Sequence, residues 1–125
     1  MTFMRKYLAW VILILSFLNT TSSFASEEEP AIIMAAFGGD NKGVVRLLDS
    51  GVDVNTRDSA GNTALIFAAN QGNVELVSIL LFRGADPNIK SNGGSAPLQV
   101  AKDNVTAGSE YVTVINLLKQ YGAEE

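Results

Sequence analysis

The chain has 125 residues, nine basic and thirteen acidic, and its net charge of −4 argues against a nucleic-acid partner. It contains no Cys and no His, which excludes disulfides and thiolate chemistry and removes the commonest general base and metal ligand. The length suits one domain, and most enzyme classes fit poorly before any motif is read.

Arg5 and Lys6 precede an apolar run from Tyr7 to Leu18, and the small-residue stretch that follows ends in Ser23, Phe24 and Ala25. As a helix that run spans only about 18 Å, short of the ~30 Å hydrocarbon core. The order of positive, apolar and small-residue regions reads as an export signal over residues 1–25, cut between Ala25 and Ser26. An uncleaved anchor, with Tyr7 and Trp10 at an interface, is the competing reading. Cleavage leaves residues 26–125, with seven basic and thirteen acidic side chains, a net −6. With no disulfide, packing alone must hold that domain together.

The remaining sequence repeats itself at an offset of 33. Ala35, Ala36, Leu47, Leu48 and Gly51 align with Ala68, Ala69, Leu80, Leu81 and Gly84, and Gly61, Leu65 and Ala68 align with Gly94, Leu98 and Ala101. Later positions need five more residues, which fall in or near Val105 to Ser109. Within a unit, Leu65, Ala68 and Ala69 mark a short helix with a small apolar face. Gly72 and Asn73 turn the chain. Val74, Val77, Leu80 and Leu81 form a broad stripe on a second helix, and Gly84 suits its left-handed cap. Turn signals at Asp86 to Asn88 and Ser91 to Gly94 bracket a projecting hairpin. No unit buries its stripe alone, so the units must stack.

The run from Asp58 to Asn88 resembles the ankyrin repeat, and the resemblance extends over residues 26–125 as about three units, near 28–58, 59–91 and 92–125. It implies an all-α repeat solenoid of helix-turn-helix units joined by β-hairpin loops. Two departures stand out. The family's Thr-Pro-Leu-His element reads Thr63, Ala64, Leu65, Ile66 in one unit and Ala96, Pro97, Leu98, Gln99 in the next, so the capping hydroxyl survives only at Thr63. The first unit lacks its leading hairpin and opens instead with Glu27, Glu28, Glu29 and Pro30, residues suited to a helix N-terminus.

No catalytic constellation emerges. Asp53 and Asp86 hold equivalent places and read as turn formers. Glu27 to Glu29 suit a cap better than a loose cation site. Phosphate-loop and calcium-loop patterns are missing, and no cofactor or metal is expected. The Asn104 to Thr106 sequon matters only where exported proteins are glycosylated.

The resemblance implies that a protein partner binds on the concave side, across hairpin tips and first-helix faces. Carried over by position, that surface comprises Ser59, Ala60 and Asn62 on one hairpin and Asn92 and Ser95 on the next. On the first helices it comprises Phe37, then Asn70 and Gln71, then Asp103 and Asn104. Phe37 is the most informative, because it aligns with the polar Asn70; it is either an exposed contact or tucked under the acidic cap. The expected function is a non-enzymatic interaction module, periplasmic or secreted, monomeric, free of the membrane after cleavage, and suited to supporting a periplasmic enzyme. The alternatives are an inhibitor or immunity-type protein pairing its −6 charge with a basic target, and a hydrolase built on Asp103 and Glu110.

Overall fold

The computed structural model describes residues 29–125; the proposed leader, its Ala25–Ser26 junction, Glu27 and Glu28 lie outside the described residues. Among the described residues six α-helices form three pairs: α1 (Ala31–Phe37) with α2 (Asn41–Asp49), α3 (Ala64–Gln71) with α4 (Val74–Phe82), and α5 (Pro97–Asp103) with α6 (Glu110–Gln120). The first helices α1, α3 and α5 pack side by side in one layer, and α2, α4 and α6 form a second layer behind them. None of the described helices is long and apolar enough to cross a membrane.

Alanine makes the close packing possible. Ala36, Ala68, Ala69 and Ala101 are fully buried, so adjoining helices meet over methyl groups rather than long side chains. Around them Ile32, Val44, Leu65, Leu76, Leu80 and Leu118 close one continuous core through all three pairs. Leu80 and Leu81 are buried from both flanks, whereas their equivalents Leu47 and Leu48 are half-buried, because α2 has a described neighbour pair on one side only.

Caps follow the local sequence. Thr63 is a buried N-cap whose hydroxyl accepts from the Ile66 amide at 3.3 Å, and Asp40 and Asn73 cap α2 and α4 through their side chains. Ala96 offers no such group, and Pro97 at the first turn of α5 takes over by presetting φ. Glu29 does not serve α1 as a cap. Its carboxylate accepts instead from the Ser59 hydroxyl at 2.7 Å, tying the start of the described chain to the first hairpin.

Two pairs reverse direction through glycine in the left-handed region, Gly39 at φ +70 and Gly72 at φ +64. The third pair has Val105 at that place in the repeat, and a β-branched residue is poorly tolerated there. The chain uses the 3₁₀ turn Val105–Ala107 instead, so the inserted residues are the physical substitute for the missing glycine.

The hairpins between pairs are stacked turns. Among the described residues β pairing is limited to a single antiparallel bridge, Arg57 with Thr63, and no sheet forms. Asp53 and Asp86 are the turn formers expected, each accepting the amide two residues on, from Asn55 and Asn88, at 2.9 Å.

Candidate partner-binding face

The face in question is the layer of α1, α3 and α5 with the hairpins beside it. Phe37, the last residue of α1, is 64% exposed, and its ring meets Phe67 of α3 edge to face, with centroids 5.6 Å apart and planes at 89°. That is the favoured aromatic geometry. Phe37 therefore leans on the next unit and leaves most of its ring open. Met34, one turn earlier on α1, is 57% exposed.

Phe67 belongs to a row that the sequence reading missed. Met34, Phe67 and Val100 share one place in successive units, each 33 residues from the next. Phe67 and Val100 are half-buried. The signal was present in that alignment, but inside a helix reading Ala64 to Gln71 an aromatic passes for core. Neither α1 nor α3 contains a charged side chain, so the row is apolar at its centre.

The polar residues carried over to this face are exposed or half-buried, and most also have partners within the chain. Gln71 donates through Nε2 to the Phe37 carbonyl at 2.7 Å, and Asn104, its equivalent, donates through Nδ2 to Asn70 Oδ1 at 3.3 Å and to the Val100 carbonyl at 2.8 Å. The Asn70 carbonyl accepts from the buried Tyr111 phenol at 2.9 Å. These bonds tie each first helix to its neighbour.

On the hairpins, Ser59 and Ala60 stand at an exposed tip, and Asn92 reaches back to both, its amide donating to the Ala60 carbonyl at 2.9 Å and its Nδ2 to the Ser59 carbonyl at 3.2 Å. Asn62 is clamped by Asp58, and the half-buried Ser95 donates its amide to Ser91 Oγ at 3.3 Å. Arg57 joins the same stack, with Nη2 donating to the Lys90 carbonyl at 2.7 Å.

Asp103 and Glu110 have different surroundings. Asp103 accepts from Gln99 at 2.8 Å on α5, while the Glu110 side chain lies over Gly72 from the first turn of α6. At the C-terminal edge a shallow cleft of about 250 Å³ is bordered by Asn88, Lys90, Leu98, Lys102 and Glu125. Glu125 bridges Lys102 and Lys119 there at 3.0 Å each.

Phe82 on α4 is 80% exposed at a place held by Asp49 in the preceding pair, and it lies in the second layer, away from this face.

No curated protein matches the chain. The family model described as Ankyrin repeats (many copies) matches residues 47–101, from the last turn of α2 through the central pair to Ala101 of α5. Residues 47–101 thus belong to the ankyrin-repeat family, and among the described residues six helices stack as three helix-turn-helix pairs.

Proposed function

We propose that the protein is an exported, non-enzymatic binding module that holds one protein partner on its first-helix face, outside the cytoplasm. Ankyrin repeats generally bind proteins, and their domains are typically non-catalytic. The observation that carries the reading is the Phe37–Phe67 pair with Met34 beside it, an aromatic and thioether patch left open to solvent. Aromatic side chains of low conformational freedom make good interface anchors, and Met adapts to an irregular partner surface. The hydrogen-bonded row from Gln71 to Asn104 keeps the platform rigid, which lowers the entropic cost of association. The export part rests on the leader pattern of residues 1–25, and it makes support of a periplasmic enzyme the most fitting role.

The test is capture from envelope extract with the tagged chain, comparing wild type with Phe37→Glu and Glu75→Lys. Glu75 lies in the second layer, where its carboxylate accepts from Asn41 at 3.0 Å. Loss of the captured protein with Phe37→Glu and retention with Glu75→Lys supports this face. The reverse pattern moves the site to the second layer.

A further inference from the structure

The two hairpin tips are built on the same plan with one exchange. Asp58, Ser59, Ala60 and Gly61 form the first, and Ser91, Asn92, Gly93 and Gly94 occupy the same places in the second. In both, the fourth residue donates its amide to the first residue's carbonyl, at 3.0 and 2.9 Å. In the first tip the Asp58 carboxylate also takes the Ala60 amide at 2.9 Å and the Asn62 amide at 2.8 Å. Ser91 is too short for the whole task. Its hydroxyl accepts from Ser95 at 3.3 Å, and the Gly93 amide, the counterpart of the sequestered Ala60 amide, donates to no acceptor among the described residues.

That unengaged amide follows an asparagine. Asn92–Gly93 is the sequence's one Asn-Gly pair, and both residues are exposed. Gly93 has no side chain to obstruct its nitrogen, and the place a β-carbon would take is open, with Ser91 Oγ the nearest neighbour at 3.8 Å from it. The Asn92 side chain is held by one bond of 3.2 Å to the Ser59 carbonyl.

We propose that Asn92 is a site of spontaneous deamidation. The Gly93 nitrogen gives up its proton and attacks Asn92 Cγ, forming a carbon–nitrogen bond as the side-chain amide nitrogen departs as ammonia. Water then opens the five-membered imide at either carbonyl. One opening yields aspartate; the other yields isoaspartate, with the chain continuing through the β-carbon. No electrons are exchanged, and water is the sole co-reactant. Either product removes the donor facing the Ser59 carbonyl and places a negative charge by Gly61, in the space where Arg57 Nη2 also lies. The tip of the second hairpin thus changes from neutral to anionic as the molecule ages, on the proposed partner face.

The experiment incubates the folded chain at mildly alkaline pH and maps its peptides by mass spectrometry, with an isoaspartate methylation assay alongside. Wild type, Gly93→Ala and Ser91→Asp are compared, each also as a free peptide of residues 89–98. Conversion confined to residue 92, at a rate within a few-fold of the free peptide, supports the proposal. Ser91→Asp should slow the folded chain several-fold and leave its peptide nearly unchanged, because the restored carboxylate recaptures the Gly93 amide. Asn92 remaining intact in the folded chain after its peptide has converted overturns the proposal. So does Ser91→Asp converting like wild type, or slowing chain and peptide alike.

Discussion

Gln71 donates to the Phe37 carbonyl 34 residues before it, and Asn104, the same distance beyond Asn70, reaches only that residue's side chain. The difference is one methylene. The longer amide spans to the neighbouring backbone; the shorter one leaves the Asn70 carbonyl to be filled by Tyr111 from α6. Gln71→Ala and Tyr111→Phe should each lower stability by about 0.5–1.5 kcal/mol, the usual net worth of one such bond. Urea unfolding monitored by circular dichroism measures both. An unchanged midpoint in both variants would mean the lateral bonds add nothing to the stack.

Leu80→Ala should cost about 2–5 kcal/mol, a large share of the roughly 5–10 kcal/mol expected for a domain of this size. Leu47→Ala, at the equivalent but half-buried place, should cost clearly less, because less apolar surface is lost and solvent fills the gap. Equal costs would contradict the difference in burial between the central and first pairs.

Ala64→Pro should stabilise by about 0.4–1 kcal/mol, chiefly by stiffening the unfolded chain. The site is the first position of α3, Thr63 before it is already extended at ψ 164°, and Pro97 fills the same place in α5. A lower melting temperature would show that the Ala64 amide is needed.

The architecture was legible in the sequence because it depends on spacing. The offset of 33, the alanine face and the paired turn aspartates each survive translation into structure almost unaltered. The binding face was harder to read. Exposure of Phe37 follows from its alignment with Asn70, but its contact with Phe67 depends on which way two rings lie across adjacent helices. The engagement of Gln71, Asn104 and Asn92 depends on side-chain reach to a neighbouring unit, and residue type alone does not encode that. The insertion near Val105 was legible as extra length, while its cause became plain only once Gly39 and Gly72 were seen to be left-handed.

Glu125 should titrate below its ordinary value of 4.5, because it accepts from Lys119 and Lys102 and feels the charge of both. A carboxyl depressed by folding adds stability above its unfolded value, and that increment is lost as pH falls through the folded value. Carboxyl NMR titration reads the midpoint directly. Lys119→Met should move it upward; an unmoved midpoint would assign the depression to Lys102 alone.

If the leader is processed as proposed, the protein recovered from envelope fractions has the intact mass of residues 26–125 and begins at Ser26. A membrane-bound species retaining residues 1–25 would replace export with anchoring.

The absence of Asp, Glu, Lys and Arg from α1 and α3 sets the kinetics of whatever seats on them. Without fixed charge at the centre, steering is left to the charges around it, and association should run nearer the ordinary rate of about 10⁵–10⁶ M⁻¹s⁻¹ than the diffusion limit. Ionic strength then has little to screen, and the lifetime of the complex rests on apolar contact, which sulfate-type salts strengthen and urea weakens. A resin carrying the protein should keep its partner through a concentrated salt wash and release it in a mild chaotrope.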